Sequence, residues 1–397
     1  MTFEPPLSMR VQQVEPFRVM DIVARANALE AAGTSIIHLE VGQPGTPAPA
    51  LARSALSAAL GASQPLGYTE SLGIPALRSG IAAMYKSRYK VDVPAERVII
   101  TSGSSGAFIL AFTALFDAGD RVALGEPGYP SYRSILKALS VEPVGLPTTA
   151  AARYQPTPAD LAAAPPGVKG LIVASPSNPT GTILGRAELA ALAAAAEARG
   201  MALISDEIYH GICYPGAPQA VCALEVSDRC YVINSFSKFF SMTGYRVGWL
   251  VAPPSHVRAI ERLAQNLFIC APHASQVAAL AALGADEELA ANLRVYAANR
   301  ALMLEHLPRV GFPSFAPPDG AFFVYVELAA ELGGSAALCD ELLSEAGVAA
   351  TPGLDFDTQR GGATLRFSYA RSTADVSEGM RRLGAWWARR LAREGGR

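Results

Sequence analysis

GLIVASPSNPTG, residues 170–181, is the stretch from which the fold is read. GLIVA is apolar without alternation, as expected for a strand buried on both faces. The SPSNPTG that follows is turn chemistry, with Asn-Pro and Thr-Gly steps that end the run abruptly. The same grammar repeats on either side. ALIS at 202–205 and YVIN at 231–234 read as strands downstream, and RVIIT at 97–101 and RVAL at 121–124 upstream. A further strand is predicted at 247–251, of unassigned direction. Helical patterns separate these runs at 107–116, from Tyr132 and from Glu188. Strand–helix alternation builds a mostly parallel sheet sandwiched by helices, an α/β architecture. In such sheets ligands sit beyond the carboxyl ends of the strands.

The last hundred or so residues read differently. A long helix at 287–307, a strand at 321–326, a helix at 336–346, a strand at 364–368 and an amphipathic helix from Asp375 predict a smaller α+β domain. With 397 residues, half of them hydrophobic, the chain suffices for two cores. The expected division is an N-terminal arm and helix at 1–45 that joins the small domain, a large domain at 46–285, and the small domain at 286–397. The net charge of -2 and the absence of a charged tail imply neither a nucleic acid nor an anionic membrane as partner. MTFEPPLSMRVQQVEPF has no apolar core of a signal peptide. Charges flank the alanine-rich run at 189–196 before it reaches membrane-spanning length. Five cysteines, with no C-x-x-C pair, suit a reducing cytosol better than a disulfide framework or a zinc knuckle.

Chemistry gathers where the strands end. In SFSKFFSMTGYRVGW, residues 235–249, Lys238 follows Ser235 and Ser237 and precedes Arg246 by eight positions. A lysine that must form an imine needs its ammonium form destabilised by burial or a neighbouring cation, and Arg246 can serve while also pairing with a phosphate. Most lysines are solvated surface charges, so this residue alone weighs little. Asp206 closes a hydrophobic strand in ISDEIY; it reads either as an ordinary N-cap or as a carboxylate that keeps a ring nitrogen protonated. Asn178 reads either as a turn residue or as an amide donor to a phenolic oxygen, which Tyr209 also reaches. TSGSSG at 101–106 lets backbone N–H groups at a helix start close on a phosphate. It lacks both the G-K-[ST] of a nucleotide loop and the G-x-G-x-x-G spacing of a dinucleotide fold. Taken in their functional readings, an imine lysine, a ring-nitrogen carboxylate and a phosphate loop would suit pyridoxal 5'-phosphate.

These motifs resemble the class I/II aminotransferases, the fold-type I pyridoxal-phosphate enzymes, over residues 41–370. S-x-S-K with G-x-R-x-G matches Ser235, Ser237, Lys238, Gly244, Arg246 and Gly248. S-x-x-N-P-T-G matches 175–181 and D-E-x-Y matches 206–209. Tyr68 with Gly73, Leu77 and Arg78, Pro352-Gly353, and LRFSYA at 365–370 resemble further segments of the family in the same order.

The resemblance implies a role for each residue. Lys238 carries the cofactor as a Schiff base and then moves the proton, Asp206 pairs with the ring nitrogen, and Asn178 and Tyr209 contact the phenolic oxygen. Gly103, Ser104, Ser105, Ser235, Ser237 and Arg246 belong to the phosphate side. Tyr129 stacks on the ring, and Tyr68 reaches the phosphate of the other subunit, which implies a homodimer with shared active sites. Arg366, with Gly42 and Asn178, receives the substrate carboxylate. The implied activity moves an amino group between an L-amino acid and a 2-oxo acid in the cytoplasm; a carbon–sulfur β-lyase on the same fold is the alternative. No arginine lies between Arg262 and Arg294, where a second clamp for a distal carboxylate is sought, which disfavours a dicarboxylate specialist of that type. Of the aromatic candidates for a side-chain pocket, Phe17, Tyr68, Tyr129 and Phe268, core packing accounts for each equally well, and His273 reads as a helix-start residue in preference to a pocket residue.

Overall fold

The computed structural model describes residues 4–63 and 65–394. The outermost three positions at each end of the chain lie outside the described residues. In chain order the strands are β1 (Ile37–His38), β2 (Val98–Thr101), β3 (Arg121–Glu126), β4 (Glu142–Pro147), β5 (Val168–Ala174), β6 (Ala202–Asp206) and β7 (Tyr231–Ser235). They continue with β8 (Gly248–Val251), β9 (Ser314–Phe315), β10 (Phe323–Glu327), β11 (Val348–Ala349), β12 (Thr351–Pro352) and β13 (Thr364–Ser368).

A seven-stranded sheet in the order β2-β8-β7-β6-β5-β3-β4 forms the larger layer. β3 to β7 pair in parallel, whereas β8 runs antiparallel to both neighbours. That settles the direction that the sequence left open, and the cause is local. A parallel return needs a crossover of a dozen or more residues, usually a helix. β7 and β8 are joined instead by the irregular segment 236–247, which contains Lys238 and Arg246. Both faces of the sheet are buried. Ile100, Leu171, Val173, Leu203, Val232 and Trp249 enter one apolar cluster, while the neighbouring Ile99, Ile172, Ile204, Ile233 and Leu250 enter another. The period-2 alternation of side chains therefore sends apolar groups both ways, which is why these strands read as continuous hydrophobic runs.

The smaller layer is a four-stranded antiparallel sheet, β12-β13-β10-β9, with a third apolar cluster. The early segment 37–40 docks here. β1 pairs in parallel with β11, Leu39 N–H donates to Ala349 O at 3.1 Å, and Ser368 N–H donates to Leu39 O at 2.6 Å. No helix among the described residues is long and apolar enough to cross a membrane.

Three differences from the sequence expectations have physical causes. β4 was not anticipated because Pro143 and Pro147 interrupt it; it lies at the sheet edge, where a strand tolerates proline. The strand expected from residue 321 begins at Phe323, because Ala321 has a left-handed φ of 55°. The helix expected over 336–346 is α-helical at Ser335–Glu341 and widens to a π turn over Leu342–Ala346.

Candidate active site

The carboxyl ends of β5, β6 and β7 open on a cavity of about 240 Å³. Lys238, Asp206, Asn178, Tyr209, Tyr129, Ser104, Ser105, Ser237, Arg246, Gly42 and Arg366 all line it. Residues from positions 42 to 366 thus meet within one hollow.

Lys238 Nζ donates to Gly42 O at 2.7 Å. Burial, followed by the positive charges of Arg366 and Arg246, brings its ammonium down to about 8. Asp206 sits at the end of β6, where the following Ile208 N–H donates to its Oδ1 at 3.0 Å and Tyr132 Oη donates to Oδ2. Burial pushes its carboxyl up to about 6, against the lowering influence of these two donors and of Lys238. The site therefore combines an amine that is easily neutralised with a buried acid that a nearby cation would ionise. Burial also pushes the Tyr209 and Tyr129 hydroxyls up, so both are neutral donors at working pH.

At one end, Arg366 projects from β13. Its Nη1 donates to Asn178 Oδ1 at 2.8 Å and its Nη2 donates to Glu40 O at 2.5 Å, while Nε has no hydrogen-bond partner. The guanidinium lies 4.4 Å from the ring centre of Phe323 and 4.6 Å from that of Phe356. Burial lowers it to about 10, still a cation at neutral pH. A planar fork held between two rings suits bidentate recognition of a carboxylate. Phe17, Val19, Met20 and Phe323 add apolar wall. Gly42 is required by packing: a Cβ there would lie 2.4 Å from Phe323 Cζ.

The opposite end is polar and positive. The helix Gly103–Leu115 starts there, with Ser104 and Ser105 in its first turn, and Ser237, Thr243 and Arg246 face it. Backbone N–H groups at a helix start, hydroxyls and a guanidinium make an anion cup. Gly103 has φ +71°, and a Cβ on it would lie 2.6 Å from Arg246 Nη2. A Cβ on Gly248 would reach within 3.0 Å of Ser104 N. These glycines keep the cup compact. Anion cup, buried acid and buried amine together fit the chemistry of pyridoxal phosphate.

Three sequence candidates stand apart from the cavity wall. Gly103 shapes the cup from behind. Ser235 is fully buried; its hydroxyl donates to Val247 O at 3.1 Å, accepts from Ser237 N–H at 3.0 Å and lies 2.8 Å from Ser237 Oγ, so it props Ser237. Tyr68 is 82% exposed in the single chain. Phe17 and Tyr129 line the cavity, whereas Phe268 ends the helix Pro254–Leu267 away from it; His273 starts the helix His273–Ala282 and meets Gly67 O. Sequence reasoning missed Tyr132, Val19, Met20, Thr243 and Phe323. Tyr132 carried a faint signal as the second tyrosine of EPGYPSY, one helical turn beyond Tyr129. Val19, Met20 and Phe323 are ordinary apolar residues and Thr243 an ordinary hydroxyl, whose position only the fold reveals.

Comparison with known proteins follows the same line. Residues 34–383 match the family Aminotransferase class I and II. Over 375 residues the chain is 48% identical to the valine–pyruvate aminotransferase of Mycobacterium tuberculosis, covering 94% of this chain and 96% of that one. It is similar to a crystal structure of an aminotransferase from Mycobacterium tuberculosis, with TM-score 0.94, 46% identity, and 97% and 100% of the two chains covered. It is also similar to aspartate aminotransferase from Thermus thermophilus with maleate, with TM-score 0.89, 30% identity, and 96% and 100% covered.

Proposed function

The chain belongs to the class I and II aminotransferases, and from that premise we propose that this cavity transfers the amino group of an apolar L-amino acid to a 2-oxo acid with pyridoxal phosphate. The observation that carries the reading is the convergence of Lys238, Asp206 and Arg366 on one hollow. When bound, pyridoxal phosphate supplies an aldehyde that condenses with amines and a protonated ring that accepts electrons from the substrate Cα.

Each side chain has a task consistent with its surroundings. Lys238 would hold the cofactor covalently, and its Nζ, when free, would be the base that takes the proton from the substrate Cα and carries it. An amine brought down to about 8 is partly neutral at working pH, as a base must be. Asp206 would ionise against the ring nitrogen. Tyr209 and Asn178 would hold the phenolic oxygen, and Tyr129 would pack on the ring. Ser104, Ser105, Ser237 and Arg246 would hold the phosphate, with Gly103 and Ser235 shaping the cup. Arg366 receives the α-carboxylate beside Gly42 and Asn178.

The donor side chain is best served by apolar contacts. The cationic side chains lining the cavity are Lys238, Arg246 and Arg366, and all three are committed. Phe17, Val19, Met20 and Phe323 remain for the side chain. The relative named valine–pyruvate aminotransferase agrees with this choice. The β-lyase alternative gains no support from the named relatives.

The larger-scale proposals are a large domain at 46–285 set against 1–45 with 286–397, a homodimer, and a cytosolic setting. Five free thiols suit a reducing compartment. Exposed Leu60, Tyr68, Leu267 and Ile269 are apolar surface for a second copy, which would bring Tyr68 to the partner's phosphate.

The test pairs a donor panel with a Lys238→Ala variant. Valine, alanine and leucine should convert the enzyme to its amino form without added acceptor, and aspartate should do so poorly. Lys238→Ala should bind the cofactor without borohydride-trappable attachment and lose turnover. Release of pyruvate and ammonia from cysteine conjugates in place of transfer would overturn the proposal.

A further inference from the structure

Behind the substrate end lies a second cavity of about 500 Å³, bounded by the helix Arg18–Ala31, the segment 36–43 and the start of the helix Thr373–Glu394. Val41 and Gln43 line both cavities, so the chain between them is a shared wall. Its two sides have opposite duties. Towards the substrate, Glu40 O accepts from Arg366 at 2.5 Å and from Thr351 Oγ1 at 2.8 Å, and Gly42 O accepts from Lys238 at 2.7 Å. On the other side is a small charge cluster. His38 Nδ1 lies 2.7 Å from Glu40 Oε1, and His38 Nε2 lies 3.2 Å from Glu30 Oε2. Glu40 is buried, and its Oε2 has no hydrogen-bond partner.

Both ring nitrogens of His38 thus face carboxylate oxygens. A neutral imidazole has one N–H and serves one acceptor; two require the cation. Without the second proton, a nitrogen lone pair would face a carboxylate, beside a buried carboxylate already short of donors. The other charged groups at this cavity are Arg371 and Asp375, next to and within the first turn of the C-terminal helix. The Glu40 contact, opposed by burial, raises the His38 pKa above the ordinary histidine value.

We propose that His38 is a positioning residue: as a cation clamped between Glu40 and Glu30 it braces the segment 40–42, whose carbonyls hold Arg366 and Lys238, so that carboxylate binding weakens as pH rises. A group with a raised folded pKa contributes fully at low pH and loses its contribution as pH climbs through that value. The window lies above the ordinary histidine range. The inference rests on the reading of Arg366 as the carboxylate clamp.

The experiment measures inhibition of the holoenzyme by isovalerate, an unreactive carboxylate, as a function of pH. Wild type should lose affinity by about fivefold or more across the window, in line with ordinary coupling between sites. His38→Gln should bind weakly with that pH dependence removed, and Glu40→Gln should also flatten it. In parallel, carbon-13 labelled histidine is titrated by NMR. Saturating isovalerate should move the His38 midpoint upward, because coupling is reciprocal. If His38→Gln keeps the wild-type slope, or the wild-type His38 midpoint does not move, the brace is refuted; the second readout stands even if the variant fails to fold. Arg366→Lys separates the two readings. Unimpaired isovalerate binding in that variant would sink the clamp assignment itself, whereas impaired binding with an unchanged His38→Gln slope would sink the brace alone.

Discussion

Asp206 and Lys238 illustrate how one burial produces two opposite titration behaviours. Removing water disfavours charge on both, raising the acid and lowering the amine. For cofactor-free protein this has a measurable consequence. The unfolded chain keeps the lysine proton up to about 10.5, whereas the folded chain releases it near 8. Between those values unfolding takes up a proton, so the lysine contribution to stability grows with pH; below about 8 the buried cation carries its full penalty. The difference is on the order of 3 kcal/mol. Cofactor-free wild type should therefore gain stability against Lys238→Met from pH 8 to 10 in denaturant titrations. Tyr132 acts on the same acid by donating to Asp206. Tyr132→Phe should lower kcat by about tenfold with little change in KM, since a hydrogen bond to a charged group is worth roughly 1.5–3 kcal/mol. An unaltered kcat would show that Ile208 N–H alone holds the carboxylate. The sequence exposed Lys238, Asp206 and Arg366 because each sits in an unusual string. It hid Val19 and Met20, whose type says only that they are apolar.

Elements explain why the anion cup is compact. The helix Gly103–Leu115 begins immediately after β2, and Gly103 makes the turn with positive φ. Gly103→Ala would need a left-handed alanine, and its methyl would displace Arg246. Cofactor affinity should fall by about tenfold or more, with transfer chemistry less affected at saturating cofactor. Equilibrium dialysis of the variant against pyridoxal phosphate checks this. Strand–helix alternation was legible because the buried strands of a parallel layer are long apolar runs. β4 was illegible because its prolines mimic a loop, and β8 hid its direction because pairing sense leaves no mark on composition. The docking of 37–40 on β11 and β13 was likewise unreadable as a pairing, since it joins residues more than three hundred positions apart.

For the whole molecule, Tyr68 is the informative residue. The residue is largely exposed, yet it belongs to a string that resembles a segment of the family. Two copies that exchange these tyrosines would complete each other's phosphate cups. Charge introduced at Leu267 and Ile269 together should yield monomers in sedimentation, with cofactor affinity and turnover reduced in step. Monomers of full activity would assign Tyr68 to the surface alone.

The seam at 37–40 also dictates a timetable. The residues that one chain itself supplies to the cofactor end have all been added once β8, which ends at Val251, is made. The receiving end waits for Arg366 and for partners of Leu39 and Glu40 that are among the final eighth of the polypeptide to emerge. A nascent chain paused between these points would carry the anion cup without the guanidinium opposite it. The order of synthesis therefore delays reactivity until the last strand arrives.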